Sequence, residues 1–264
     1  HKIPNIFPED VLLQSKKASF LQNKKWDDYS HVPFVTIDPK DARDHDDACY
    51  AKPDDDPKNI GGHLIWVAIA DVAHFVRSGD AIDKEARHRG NSTYFPDRVV
   101  PMLPDNLSGN LCSLHEGEKR ACIVVKIKID SVGNKISHKF TRAVIQSWAS
   151  LEYGEVQEVI DKGKGKPKVL DLVNTVIKPL YDAYSCLKIS RKVRSPLDLN
   201  LPERKIEIDE RGIVKDVRFK ERLDAHKLIE EFMILANVCA AETLSYKKTP
   251  TIFRVHEEPD KEKI

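Results

Sequence analysis

The sequence predicts one α+β domain organised on a long, meandering sheet, and three stretches carry that expectation. His63–Ala70 (HLIWVAIA) is too apolar for an exposed edge and reads as a buried strand. Residues 121–130 and 135–147 flank Val132-Gly133-Asn134, the signature of a hairpin between two strands. Residues 221–246 place Leu228, Phe232, Leu235 and Cys239 at helical intervals, with Ile229, Met233, Ala236 and Ala240 alongside.

In chain order, residues 1–30 mix Pro4, Pro8, lysines and single aromatics and read as an extended arm, with one short helix starting near Pro8. The chain begins at His1 rather than Met, so the arm is expected to continue a preceding region. Residues 31–37 and 48–52 read as successive strands, and residues 53–62 as a turn cluster rich in proline, aspartate and glycine. Ser78-Gly79-Asp80 opens a helix over residues 80–88 that Gly90 stops. Pro96, Pro101 and Pro104 fix residues 91–104 as an extended segment. Residues 153–160 read as a short helix, and 162–168 (KGKGKPK) as a flexible basic loop. Residues 169–191 read as one helix, with Leu170, Val173, Val176, Ile177 and Leu180 at helical spacing. A second hairpin joins 205–208 to 213–219 about Asp209-Glu210-Arg211-Gly212, and residues 252–255 read as a last short strand.

A chain of 264 residues is long enough for a substantial core. Lys and Arg number 43 against 42 Asp and Glu, a formal net charge of +1, which argues against a non-specific electrostatic coat on nucleic acid and leaves a local basic channel open. Cys49, Cys112, Cys122, Cys186 and Cys239 are odd in number and widely spaced, with no C-x-x-C. That excludes a disulfide framework or zinc ribbon and points to free thiols in a reducing cytoplasm. No apolar run reaches the roughly 18 residues of a membrane span, and no signal peptide is visible.

Thr36-Ile37-Asp38-Pro39-Lys40-Asp41-Ala42-Arg43-Asp44-His45-Asp46-Asp47 crowds five aspartates between two strands. Carboxylates are hard oxygen ligands that suit Mg²⁺ or Mn²⁺, and crowding them in a folded loop is costly without a cation. Alternation puts Asp44 and Asp46 on one face of an extended chain. Asp47 points the other way unless the loop turns, and Asp38 returns only if it curls. An EF-hand starting at Asp44 fails, since Cys49 stands where glycine is needed and Asp55 where glutamate is needed. A solvated acidic loop is the bland alternative. Two-metal phosphoryl hydrolysis is the chemistry that most needs such a cluster. No nucleophile elbow, phosphate-binding P-loop, dinucleotide fingerprint or H-E-x-x-H competes. Asp54-Asp55-Asp56, between prolines, reads as a solvated turn.

The acidic stretch resembles the signature of the RNB-domain exoribonucleases, the ribonuclease II/ribonuclease R family, and above all its bacterial ribonuclease R branch. Further resemblances follow in the family's order. They are Trp66-Val-Ala-Ile-Ala-Asp-Val-Ala-His74, Tyr94-Phe-Pro-Asp-Arg-Val-Val-Pro-Met-Leu-Pro104, Leu107-Ser-Gly-Asn-Leu-Cys-Ser-Leu114, Leu197-Asp-Leu-Asn-Leu-Pro-Glu203, Glu230-Glu-Phe-Met-Ile-Leu-Ala-Asn237 and Phe253-Arg-Val-His-Glu-Glu-Pro259. The resemblance implies the N-terminal portion of an RNB catalytic domain over residues 31–264, a mixed, mostly antiparallel sheet with flanking helices. It implies Mg²⁺-dependent hydrolysis of single-stranded RNA from the 3′ end, releasing 5′-nucleoside monophosphates, with Mn²⁺ as the substitute ion. By motif match Asp38, Asp44, Asp46 and Asp47 form the metal set. Asp38 and Asp47 are direct ligands, Asp44 acts nearby through water, and Asp46 is the catalytic carboxylate. Asp41 is not a ligand. Tyr94 stacks on the 3′-terminal base, and Arg98 touches phosphate or braces its loop. His74 and His256 read as structural.

Family members carry a later Arg-Arg-Tyr segment with a catalytic arginine, and OB-folds on both sides of the domain, none of which is in this sequence. The expectation is therefore a monomeric, cytoplasmic partial catalytic domain, weakly active or inactive alone, with residues 1–30 as the arm from an N-terminal OB-fold region. Two other classes stand beside it: a non-catalytic RNA-binding module that keeps the fold, and a structural domain with a calcium-stiffened loop.

Overall fold

The computed structural model describes residues 3–20, 25–194, 203–253 and 255. Helix α1 (Glu9–Lys17) follows Pro8, with Glu9 and Asp10 in its first turn and Lys16 and Lys17 in its last, each matched to the helix dipole. Strands β1 (Asp27–Tyr29), β2 (Val35–Asp38), β3 (Asp47–Pro53) and β4 (His63–Ala70) come next. After β4 lie the single turn α2 (Val72–Phe75) and helix α3 (Ala81–Arg89). Asp80 caps α3 by accepting from the Asp83 amide at 2.7 Å, and Gly90 ends it at φ +80°. Strands β5 (Thr93–Tyr94) and β6 (Val99–Val100) make a small hairpin inside the proline-fixed segment, and a π-helical turn covers Leu107–Leu111.

Strands β7 (Lys119–Ile129) and β8 (Lys135–Gln146) form the long hairpin, and β9 (Ala149–Glu152) follows at once. Then come α4 (Tyr153–Lys162), α5 (Pro167–Asp171), a π turn over Val173–Ile177, α6 (Lys178–Arg194), the hairpin β10 (Glu203–Ile208) and β11 (Val214–Lys220), and α7 (Asp224–Tyr246).

Seven strands form one sheet in the order β1-β8-β7-β4-β3-β2-β9. It is mixed and mostly antiparallel, as the motifs imply, with parallel pairing only of β1 on β8 and β2 on β9. Ser147 and Trp148 alone connect β8 to β9, yet four strands separate the two in the sheet. A flat sheet would need roughly 24 Å there, and the link reaches about 10 Å. The sheet therefore curls until β9 closes beside β2, where the Trp148 amide donates to the Phe34 carbonyl at 2.8 Å. One face packs Val35, Ile37, Ile65, Val67 and Ile127 under α4, α6 and α7, with Leu180, Leu228 and Phe232 fully buried. The other packs Phe34, Ala68, Val124 and Ile145 against Val11, Ile82 and Leu107.

Several expectations are corrected. Residues 169–191 are not one helix, because Pro179 lacks the amide that would bond Thr175. The chain instead makes a π turn, the Ile177 amide donating to the Leu172 carbonyl at 3.0 Å, before α6 begins. The basic loop shrinks to four residues between α4 and α5 and is tied down, Lys166 pairing with Glu155 and Lys168 with Glu116. Ile252, Phe253 and Val255 form no strand, and Ile252 stands almost wholly in solvent. The Asp54–Asp56 turn is not merely solvated. Lys128 pairs with Asp54 at 2.9 Å and Asp56 at 2.6 Å, and the Asn59 amide donates to Asp54 at 2.8 Å. The five cysteines are free and buried, as expected. No described helix is long and apolar enough to cross a membrane. The motif around residues 197–202 and His256 lie outside the described residues.

Candidate active site

Strands β2 and β3 pair only at Val35↔Cys49 and then splay, so Asp38 at the end of β2 and Asp47 at the start of β3 flank an open loop. The loop curls back on itself: His45 Nδ1 lies 2.6 Å from Asp38 Oδ2. Asp38, Asp44 and Asp46 line one wall of a cleft of about 810 Å³, with Asp41 and Arg43 at its rim. The opposite wall is the β5–β6 hairpin, with Tyr94, Phe95 and Arg98, and Ser108 and Gly109 of the π turn line it as well.

The loop backbone is pinned at four points. The His45 amide donates to Ser113 Oγ at 3.0 Å, and that hydroxyl donates to the Arg43 carbonyl at 3.1 Å. The Leu114 amide reaches the His45 carbonyl at 2.9 Å, and the Ala70 amide the Asp46 carbonyl at 3.0 Å. Behind them the buried Arg120 donates to the Ser113 carbonyl at 2.9 Å and the Asn110 carbonyl at 3.1 Å. Ser113 and Arg120 were not singled out from sequence. Ser113 lies within Leu107–Leu114, but nothing in its spacing shows that its partners are one amide and one carbonyl far back along the chain.

The carboxylates are held against one another. Asp46 keeps a solvent-facing edge, yet desolvation, then the charges of Asp44 and Asp38, raise its carboxyl above the usual range. Asp47 does not reach the cleft wall; burial, then Asp38 and Asp46, push its carboxyl up to about 7. His45 moves up too, chiefly through its hydrogen bond to Asp38. Its ring nitrogen thus stands directly against Asp38 Oδ2. Among the described residues no three acidic, histidine or cysteine side chains converge as a ready ion cage. The donor chemistry still fits a hard divalent cation: oxygen ligands, crowded and mutually repelling.

Tyr94 is two-thirds exposed, its ring in the cleft and its phenol donating to Asp44 Oδ2 at 3.1 Å. Arg98 pairs with Asp97 at 2.6 Å and lies over the Phe95 ring at 4.9 Å, which favours bracing of the hairpin. His74 packs edge-on between Trp26 and Phe75, at 4.9 and 4.7 Å between ring centres, as a structural histidine does.

A family model described as the RNB domain matches residues 26–264. Ribonuclease R of Escherichia coli (strain K12) is 38% identical over 268 residues, covering all of this chain and 32% of the relative. The RNase R of Mycoplasma genitalium, solved in complex with ribose methylated single-stranded RNA, superposes with a TM-score of 0.91 at 31% identity, covering 99% of this chain and 40% of that one. The same enzyme in complex with double-stranded RNA gives a TM-score of 0.90 at 31% identity, covering 99% and 46%. The chain thus spans about a third of the length of the curated relatives it matches.

Proposed function

The chain belongs to the RNB-domain family, and we propose that it supplies the catalytic core of a hydrolytic exoribonuclease that shortens single-stranded RNA from its 3′ end and releases 5′-nucleoside monophosphates. The observation that carries this reading is the cleft whose one wall is Asp38, Asp44 and Asp46 and whose other wall presents the exposed Tyr94. A terminal base stacks on Tyr94 irrespective of sequence, worth about 1–3 kcal/mol, and its phosphodiester then lies toward the carboxylates.

Asp38 and Asp47 would hold Mg²⁺, or Mn²⁺ in its place, with Asp44 assisting through water and Asp46 serving a second ion. Such ions lower the pKa of a bound water and stabilise charge on the phosphate. Asp46 is the catalytic carboxylate: its raised proton affinity and its open edge suit an Oδ atom that accepts the proton of the attacking water. His45 Nδ1 takes up Asp38 Oδ2, so an ion held by Asp38 would use Oδ1 or displace that hydrogen bond. Flanking OB-folds would deliver RNA, with the residues ahead of β1 as the connecting arm, since β1 itself belongs to the sheet. A monomer in a reducing cytoplasm accords with the five buried, free thiols.

The test is 5′-labelled single-stranded RNA with Mg²⁺, with and without EDTA, on the full-length protein that carries this domain. A ladder receding from the 3′ end, mononucleotide release and its abolition by EDTA are expected. Cleavage at internal positions, or turnover that survives EDTA, would overturn the reading.

A further inference from the structure

We infer that Ser113 is a positioning residue for the carboxylate wall, an inference that rests on the metal-dependent reading above. Its side chain is wholly buried and its hydroxyl both accepts and donates, accepting from the His45 amide at 3.0 Å and donating to the Arg43 carbonyl at 3.1 Å. Those two groups bracket Asp44. One hydroxyl therefore fixes the backbone on both sides of a cleft-lining carboxylate and one residue ahead of Asp46.

The serine is itself immobilised. Its carbonyl accepts from Arg120 Nε at 2.9 Å, while Arg120 also reaches Asn110 Oδ1 at 3.2 Å and pairs with Glu118 at 2.6 Å. The neighbouring Leu114 amide binds the His45 carbonyl. The brace thus runs from β7 through the 110–114 segment to the acidic loop and touches no cleft carboxylate directly. Like-charged carboxylates left on a slack loop would spread apart; on a fixed backbone Asp44 and Asp46 keep the positions from which each would serve its ion. Loss of the Ser113 hydroxyl frees the Arg43 carbonyl and the His45 amide, and the loop then gains conformations in which Asp44 and Asp46 no longer face the same point.

The experiment is a calorimetric titration of Mn²⁺ into the full chain without RNA, for wild type, Ser113→Ala and Ser113→Cys, followed by the RNA assay across Mn²⁺ concentrations. For Ser113→Ala the Mn²⁺ dissociation constant and the half-activating Mn²⁺ concentration should rise about tenfold, matching one lost hydrogen-bond pair, while the Michaelis constant for RNA changes little. Ser113→Cys keeps the volume with weaker bonding and should fall between, and it decides the matter if the alanine variant fails to fold. Unchanged Mn²⁺ affinity in a folded variant would overturn the role of Ser113. Wild-type protein that binds no Mn²⁺ would instead overturn the metal reading on which it rests.

Discussion

The phenol of Tyr94 donates to Asp44 Oδ2 at 3.1 Å, so the exposed aromatic of one cleft wall is tied to a carboxylate of the other. The two halves of the candidate site are coupled by that one bond. Removing the hydroxyl and removing the ring should therefore have separable effects. Tyr94→Phe keeps the stacking surface and should leave the Michaelis constant for single-stranded RNA within about twofold. Tyr94→Ala loses stacking worth about 1–3 kcal/mol and should raise it roughly tenfold. Steady-state kinetics on a labelled oligoribonucleotide check both, and equal effects would contradict the stacking role.

Asp46→Asn keeps size and removes the charge that would take a proton. In the full-length protein that carries this domain, hydrolysis should fall by at least about 10³-fold, near the range for loss of a general base. Affinity for RNA should change by less than about threefold. Single-turnover rates and filter binding measure the two independently, and unchanged turnover would remove Asp46 from the mechanism.

Asp54 provides a pH test away from the cleft. Its hydrogen bond from Lys128, then that from Asn59, holds its carboxyl down from 3.8 to about 2. The folded state thus binds this proton less tightly than the unfolded chain does. The stabilisation is present above about pH 4 and is lost as the pH falls toward about 2. Wild type should be more stable than Asp54→Asn to urea at pH 7, with the difference shrinking below pH 4. A difference that does not depend on pH would rule out the ionic origin.

Gly133 turns the β7–β8 hairpin at φ +83°, and a side chain there would run into the Cys186 carbonyl on α6. Backbone strain and the clash add, so Gly133→Ala should cost about 3 kcal/mol or more. Urea unfolding reads this directly.

Local chemistry made much of the fold legible. His63–Ala70 is a strand with the bounds its apolar run suggests, and Gly133 marks the turn of the long hairpin. Leu228, Phe232 and Cys239 all point into the core as their spacing requires. The aspartates were legible because crowded charge needs an explanation. What escaped depends on distant partners. Strand β9 is four residues long and exists because β2 offers it a parallel edge. Strand β1 similarly depends on β8. The π turn at Val173–Ile177 follows from one proline that the surrounding helical pattern concealed. Ser113 looked like any small residue, since its importance lies in two backbone groups 68 and 70 residues away. The half-buried place of Asp47 outside the cleft lining was equally invisible, because alternation gives a direction and not a depth.

The closure of β9 onto β2 also sets an order of events. The strand that ends in Asp38 emerges early in synthesis, but its outer neighbour arrives only after the whole β7–β8 hairpin has been made. Until then β2 is an unpaired edge, open to wrong partners in a crowded cell. Non-local pairing of this kind is slow, because the connecting chain must be ordered before the contact forms. The strand that ends in Asp38 thus gains its outer neighbour only after the long hairpin is complete, which makes the acidic loop a late part of the sheet to settle.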